Sequence, residues 1–333
     1  MDIVRKIIKY TLFFSIGVLL FWWIYRDLEF EDLKSELHKV NWFWILASIT
    51  FSLLSHLSRA IRWKMLVKPL GYNMKLRNTF LAVLVMYFAN LIVPRAGEVA
   101  RCSVLTKYEK VPFTSLVGTV VIERIADTVT MFILAIIVFG YNYDMFVLFF
   151  DQHPEMSENF FKLFSTQNLI IGFALLAIIV GLMFFFRPFK NTKIGNKIKS
   201  FSKEFKNGIF TIAKLENKWH FIFHTLLIFT LWLLMFSAVF LAYPPTENLS
   251  LSVGVFVFLM SGFAMLVPVQ GGIGPWHFIV YESLFLYGID KADGKMFALI
   301  GHTSTNLIYL FVGFIALMIL PLINRKIKNT IIK

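Results

Sequence analysis

Charged and polar residues interrupt one of the apolar blocks of this sequence, and their types suit the binding of an anion. The block breaks at residues 94–97, with Asn90 before the break and with Arg95, Glu98 and Arg101 at or after it. If a helix restarts after the break, these three charged residues share one face. Two arginines near the positive end of a helix match the oxygens of a phosphate. The alternative is a turn whose ion pairs only stabilise the fold.

A second group of charges lies inside another apolar block, where ionisable residues are costly and are therefore candidates for function. Glu123 and Asp127 are one helical turn apart, with Arg124 between them. We expect them either to form ion pairs with neighbouring arginines or to carry a coupling proton, since a carboxyl group in a low-dielectric site can titrate near neutral pH. Arg59 and Arg62 close an earlier block, where they either anchor a helix at the inner face or add to an anion-attracting vestibule.

The third group is a glycine-rich loop followed by ionisable residues. Glycine allows a backbone to approach a ligand closely, but the Gly-Lys-Ser/Thr sequence of a P-loop does not follow. The alternative is a tight structural turn. The candidates for binding are Gln270, Gly271, Gly272 and Gly274, and those for coupling or ion pairing are His277 and Glu282. Further along, His302 and Asn306 are one turn apart and are expected to serve helix packing.

Membrane helices must position these groups. Of the 333 residues, 58% are hydrophobic and only 16% are charged, which is too little charge for the surface of a soluble domain of this length. The apolar blocks are close to the ~20 residues that a helix needs to cross a bilayer, and they lack the alternation of barrel strands. The net charge of +13 falls between the blocks, which indicates membrane topology and contact with anionic lipids rather than nucleic acid.

We therefore predict an all-α polytopic membrane protein. The predicted full spans are residues 7–25, 42–58, 114–140, 168–186, 219–243 and 297–321. The two interrupted blocks are predicted to form re-entrant helical hairpins at 78–110 and 253–288, because proline and glycine end helices. Irregular backbone at membrane depth is tolerated only inside protein or beside a wet cavity, and broken helices of this kind often line transport sites.

Basic residues predict the orientation of the chain. They concentrate at the N-terminus, in segments 59–77 and 187–218 and in the C-terminal tail, which places these regions and both termini in the cytoplasm. Segment 187–218 is expected to lie on the inner leaflet as an amphipathic helix. The protein is therefore expected in an inner or plasma membrane as a multi-pass chain.

The order of the elements suggests an internal repeat. Span, span, hairpin and span occur twice, and the two series start on opposite sides of the membrane, which is the pattern of an inverted-topology repeat. We predict a first repeat at 1–143, an outer loop at 144–167 and a second repeat at 168–333.

The residues of these groups resemble the motif series of the lysylphosphatidylglycerol synthase transmembrane-region family, whose members are often called flippase-like. The matching residues are Arg59, Arg62, Trp63, Asn90, Pro94, Arg95, Gly97, Glu98, Arg101, Glu123, Arg124, Asp127, Pro268, Gly271, Gly272, Ile273 and Gly274. The resemblance covers about residues 10–320 and implies a polytopic region that moves lipid between leaflets. Gln270 and His277 depart from the family, which often has a proline and an acid there.

These observations predict a transporter that flips an anionic lipid or lipid-linked substrate between leaflets. The expected substrate-binding residues are Arg59, Arg62, Asn90, Arg95, Glu98, Arg101, Gln270, Gly271, Gly272 and Gly274. The chain ends shortly after its last predicted span, so the soluble aminoacyl-transfer domain of bifunctional relatives, and with it synthase activity, is not expected. No cofactor or metal is expected, because Cys102 is the single cysteine and the histidines are scattered. A homo-oligomer is compatible with the sequence.

The alternative is a membrane enzyme or accessory protein of lipid or lipid-linked glycan metabolism. Such an enzyme needs a base, an acid or a metal, and Asp127, His277 and Glu282 are the residues that would serve. The common short motifs of metalloproteases, serine hydrolases and nucleotide-binding folds are absent from the sequence.

Overall fold

The computed structural model of the protein describes residues 30–163 and 203–325 apart from 266 and 268, together with isolated positions at 19–26 and 165–170. The described residues form helices and turns without a β-strand, which confirms the predicted all-α class. The main helices, in chain order, are α1 (Phe30–Lys39), α2 (Trp42–Val67), α3 (Leu76–Ile92), α4 (Gly97–Glu109), α5 (Phe113–Tyr141), α6 (Tyr143–Gln152), α7 (Pro154–Leu163), α8 (Lys218–Ala242), α9 (Leu251–Ala264), α10 (Pro275–Phe285) and α11 (Lys291–Ile323).

Several predicted spans correspond to long apolar helices. Helices α2, α8 and α11 are each long and apolar enough to cross a membrane, and α5 qualifies together with α6, to which it is bent by 93°. The predicted spans 7–25 and 168–186 lie outside the described residues except at isolated positions. The number of spans therefore stays a prediction.

The helix of the second predicted span extends beyond the predicted bounds. The span was expected to close near residue 58, but α2 continues to Val67, so that Arg59 and Arg62 lie within the helix and are almost completely buried. The physical reason is that carboxylates of α5 neutralise both guanidinium groups, so the helix can carry them without water.

Two helical hairpins occupy the interrupted blocks. Helices α3 and α4 fold back on each other, and Asn78 near the start of α3 donates a 2.5 Å hydrogen bond to Glu109 at the end of α4. Helices α9 and α10 form the second hairpin, joined by the glycine-rich loop. At 17 and 14 residues, α3 and α9 are shorter than the ~20 residues of a full span, which agrees with hairpins that turn back. Their depth in the membrane stays a prediction.

Antiparallel packing of α2 and α8 forms the centre of the bundle. The backbone N–H of Asn41 donates to the carbonyl of Ala242 at 2.8 Å, and Ser58 Oγ lies 2.9 Å from Nδ1 of His224 at the other end. Helix α2 carries a row of small side chains, which allows neighbouring helices to approach it closely. Its buried members are Ser48, Ser52, Ser55 and Ser58.

Each of the long helices α5 and α11 packs against one helix of both hairpins. Helix α11 packs on α10 where Gly294 meets Tyr281, and further along it packs on α3 where Gly313 meets Phe88. Helix α5 likewise packs on α4, where Glu123 meets Arg101, and on α9, where Met131 meets Gly262. If α2, α3, α4 and α5 are exchanged with α8, α9, α10 and α11 respectively, the same pairs of helices are in contact. This correspondence supports the predicted inverted repeat, which remains a prediction.

Part of the basic segment 187–218 is described. Residues 203–209 are helical, and Gly208 lies directly against Gly118 of α5. Glu204 accepts a short hydrogen bond from Thr114 near the start of α5. The segment is therefore attached to the bundle at this point, and its predicted contact with the inner leaflet concerns residues that lie largely outside the described part.

The close approach of α3 and α11 gives a test of the packing. A methyl group at Gly313 would overlap Phe88 and the carbonyl of Leu84, so Gly313→Ala should lower the free energy of unfolding by about 1–3 kcal/mol. Gly140→Ala is the matched control, because nothing lies within 4 Å of a Cβ there. Thermal unfolding in detergent micelles measures both, and equal stability of the two variants would contradict the packing.

Candidate functional site

A cavity of about 510 Å³ lies between the two hairpins. Its walls come from α2–α5 and from α8–α11, and most of the lining side chains are apolar or aromatic. Ser48 and Arg59 both line it, so the cavity extends about 16 Å along α2 at 1.5 Å per residue. The hairpins meet beside it, since a Cβ added to Gly271 would lie 3.0 Å from Cδ2 of Leu91.

Charged side chains from α2, α4 and α5 form one ion-pair cluster at the wall of this cavity. Its members are Arg59 and Arg62 of α2, Glu98 and Arg101 of α4, and Glu123, Arg124 and Asp127 of α5. Glu123 and Asp127 therefore form ion pairs with neighbouring arginines, which is one of the two interpretations predicted from the sequence. The arrangement brings residues that are up to 68 positions apart into direct contact.

Glu123 is the centre of the cluster. Its Oε1 lies 2.7 Å from Nη1 of Arg59 and 2.7 Å from Nη2 of Arg124, and its Oε2 lies 3.0 Å from Nη1 of Arg101. The side chain is completely buried. With Arg62 at 3.5 Å, four guanidinium groups surround this carboxylate and compensate its buried charge.

Asp127 completes the contacts on the α2 side. Its Oδ1 lies 2.6 Å from Nη2 of Arg62, and Arg62 also donates to Thr225 of α8 at 3.0 Å. Its Oδ2 lies 3.3 Å from Arg59 and 3.2 Å from Arg124. Asp127 therefore ties α5 to the α2–α8 pair.

Aromatic rings cover the buried guanidinium groups on their other faces. Arg59 lies 5.1 Å from the ring centre of Trp232, and Arg101 lies 4.3 Å from that of Trp63. Such cation–π contacts are strong where water is absent. Trp63 in turn donates from Nε1 to Thr119 at 2.9 Å, which fixes the ring between α2 and α5.

The predicted residues of the first hairpin have different positions. Arg95 precedes α4, has a φ of 61° that non-glycine residues rarely adopt, is exposed and does not line the cavity. The predicted shared face thus holds for Glu98 and Arg101 but not for Arg95. Asn90 lines the cavity, and its Oδ1 accepts the Gly97 N–H at 2.7 Å, which stabilises the turn between the two helices.

The second hairpin contributes mainly backbone. Gly271, Gly272 and Gly274 all have positive φ values, of 57°, 77° and 92°. The carbonyl of Gly271 lies 2.7 Å from Nε2 of His302, and Asn306 Nδ2 lies 3.0 Å from His302 Nδ1. These bonds assign the proton to Nε2 and fasten the hairpin turn to α11. Gln270 is buried beside the turn and does not line the cavity.

The ionisable residues after the glycine-rich loop lie away from the charged cluster. Glu282 of α10 is buried and lies 2.8 Å from Nζ of Lys291 and 3.7 Å from Nε2 of His153. His277 contacts His302, with ring centres 4.3 Å apart, and accepts the Gly274 N–H at Nδ1. Neither residue lines the cavity, so their contacts are those of an ion pair and a helix cap.

Sequence reasoning missed the apolar and aromatic wall of the cavity. Tyr87, Trp232 and Tyr309 line it, and Tyr87 stacks on the buried His56 with ring centres 4.0 Å apart. These residues stand in blocks that are apolar on every side, so periodicity could not show which face lines a cavity. Among the described residues, no group of His, Cys, Asp and Glu side chains is suited to a metal ion.

Comparison with known proteins supports a membrane family. A family model described as the lysylphosphatidylglycerol synthase TM region matches residues 7–313. The UPF0104 membrane protein MJ1595 of Methanocaldococcus jannaschii is 26% identical over 334 residues, which cover 95% of this chain and 96% of that protein. No solved structure matches the chain.

The position of Glu123 gives a test of the cluster. Glu123→Gln keeps the shape but leaves guanidinium charges buried without a counter-ion, so the free energy of unfolding should fall by about 3–5 kcal/mol. The control is Glu216→Gln, which alters only an exposed pair with Lys68 and should change little. Thermal unfolding in detergent measures both, and a Glu123→Gln variant as stable as the control would show that the carboxylate is not needed for the fold.

Proposed function

We propose that this chain, which belongs to the lysylphosphatidylglycerol synthase TM-region family, moves an anionic lipid or lipid-linked substrate between the leaflets of its membrane. The observation that carries the proposal is the cavity between the two hairpins, whose wall combines apolar side chains with a cationic cluster. Such a combination matches the two parts of a lipid, an acyl or isoprenoid chain and a charged headgroup.

The charge of the cluster favours an anion. Its ion pairs join four arginines to three carboxylates, which leaves one positive charge in excess. A buried excess charge is unfavourable, so an anionic headgroup in the cavity would stabilise the cluster. Arg59 and Arg124 line the cavity and are the expected contacts, whereas Arg62 and Arg101 stand behind them and hold the carboxylates.

The size and lining of the cavity suit a headgroup with the first part of a chain. Its volume is in the ~300–1,000 Å³ range of small-molecule sites, which is too small for a whole membrane lipid. The rest of the chain would remain in the bilayer. Methionines at positions 86, 131, 235 and 265 line the wall, and their flexible side chains adapt to chains of different shape.

The arrangement of the hairpins supports a mechanism of alternating access. Each hairpin packs on α5 and α11 and contributes to one side of the cavity. Rocking of one half of the bundle against the other along the α2–α8 seam would open the cavity alternately to the two sides, as in transporters built from inverted repeats. In the predicted orientation, the charged cluster lies in the cytoplasmic half.

Leaflet exchange of labelled anionic lipid in proteoliposomes tests the proposal. Wild type should accelerate exchange, and Arg124→Gln should reduce the rate at least about tenfold, because a contact worth about 1.4 kcal/mol is lost. Arg124 is 42% exposed, so the change should not prevent folding. Lys107→Gln removes an exposed positive charge from α4 outside the cavity and should leave exchange unchanged. Chemical conversion of the lipid without exchange would favour the enzyme alternative instead.

A steric variant tests whether the cavity is the route. Thr305 lines the cavity, so Thr305→Trp should fill part of it and reduce exchange strongly while the protein stays folded. Thr303 lies on the same helix but is exposed, so Thr303→Trp is the matched control with the same added bulk. Equal exchange rates in the two tryptophan variants would contradict a route through this cavity.

A further inference from the structure

Glu98 is the carboxylate of the cluster that lines the cavity, whereas Glu123 and Asp127 do not. Its Oε2 lies 2.5 Å from Nε of Arg101, and its Oε1 lies 3.5 Å from Nε of Arg124. The side chain is 32% exposed. An anion thus already occupies the cavity wall between two guanidinium groups, and it belongs to the first hairpin.

We propose that Glu98 holds the place of the substrate headgroup, and that the substrate is a lipid with a terminal phosphate monoester, which binds by displacing this carboxylate. Carboxylate and phosphate oxygens accept hydrogen bonds from a guanidinium group in the same geometry, so one can replace the other. The inference rests on the proposed function, because it names the substrate class of the same cavity.

Charge balance selects the monoester. When Glu98 leaves, the cluster keeps four arginines and two carboxylates, so its excess rises to two positive charges. A phosphate monoester carries about −1.5 to −2 at pH 7, which balances this excess. A phosphodiester carries a single negative charge and leaves one guanidinium group uncompensated. The cavity should therefore distinguish lipids by the ionisation of their phosphate.

The hydrogen bonds of the arginines point the same way. Nε of Arg59 and Nε of Arg124, which both line the cavity, are buried and have no hydrogen-bond acceptor among the described residues. Buried donors without acceptors are unfavourable. A monoester offers three strong acceptor oxygens where a carboxylate offers two, so the exchange of Glu98 for phosphate would supply an acceptor that the cluster lacks.

The apolar part of the ligand has a path from the same position. Met131 follows Arg124 by two helical turns on α5, so both side chains face the cavity from the same side of the helix. Met265 also lines the cavity and is 54% exposed, which marks an opening of the wall to the outside of the bundle. A phosphate at Arg124 thus places its chain along Met131 toward this opening.

Displacement of Glu98 would also change the contacts of the first hairpin. Glu98 of α4 and Arg124 of α5 connect the two elements at the cavity wall, and Arg101 keeps its separate 3.0 Å contact with Glu123. Substrate binding would therefore release one of the two ion pairs that connect α4 with α5. A ligand that binds better to the released arrangement shifts the protein toward it.

Calorimetric titration of the full chain in detergent tests the proposal with two lipids. Dioctanoyl phosphatidic acid and dioctanoyl phosphatidylglycerol have the same chains but carry a monoester and a diester. Wild type should bind phosphatidic acid at least about tenfold more tightly. Glu98→Gln should tighten that binding about tenfold, since the competing carboxylate becomes neutral, and Arg124→Gln should weaken it. Glu109→Gln, on the same helix but outside the cavity, should leave it unchanged.

Equal affinity of wild type for the two lipids, or no binding of phosphatidic acid, would overturn the monoester assignment. Unchanged or weaker binding by Glu98→Gln would overturn the displacement. If that variant does not fold, the comparison of the two lipids on wild type decides alone. Inorganic phosphate bound as tightly as phosphatidic acid would assign the site to free phosphate and overturn the lipid assignment. Leaflet exchange of other anionic lipids tests the proposed function separately, so either can fail without the other.

Discussion

The buried carboxylate of Glu123 is the interaction on which the rest of the charged site depends. It receives guanidinium groups from α2, α4 and α5, so one side chain joins the central seam, the first hairpin and the helix that faces the second hairpin. Ion pairs in low-dielectric surroundings are strong, and removing one partner leaves a buried charge without compensation. The cluster therefore restricts how the first hairpin can be placed, and the position of the cavity follows from that placement.

A second fixed point stands on the opposite hairpin, and its chemistry is different. There the attachment is a neutral hydrogen bond from His302 to the Gly271 carbonyl, which Asn306 supports by holding the imidazole. The positive φ values of the glycines allow this carbonyl to turn toward α11. The first hairpin is thus tied to the bundle by a buried ion-pair cluster, and the turn of the second by neutral hydrogen bonds, so an anionic ligand in the cavity would act on the contacts of the first more directly than on that turn.

The sequence was sufficient for the helical class, for the two hairpins and for the charged residues that meet in one cluster. Isolated charges in apolar blocks are costly, so Arg59, Arg101 and Glu123 were expected either to form ion pairs or to contact water. The sequence did not show that α2 continues to Val67, because hydropathy counts Arg59 and Arg62 as polar even where carboxylates neutralise them. The sequence also did not predict that Trp232 and Tyr87 line the cavity, since a helix that is apolar on every side does not indicate which face lines a cavity. Arg95 does not share the face of Glu98 and Arg101, because α4 begins at Gly97, after Arg95.

The long helix α11 has a mechanical consequence. Its middle rests on α8, where a Cβ at Gly301 would lie 3.0 Å from Val239, while its two ends carry α10 and α3 on either side of that point. If the two halves of the bundle rock as proposed, a helix supported in this way would act as a lever that pivots at Gly301. Any tilt about the fulcrum displaces the two hairpins in opposite directions, so a gap that widens on one side must narrow on the other. The opening of the cavity on one side and its closing on the other would then be coupled directly, because one rigid helix carries both hairpins.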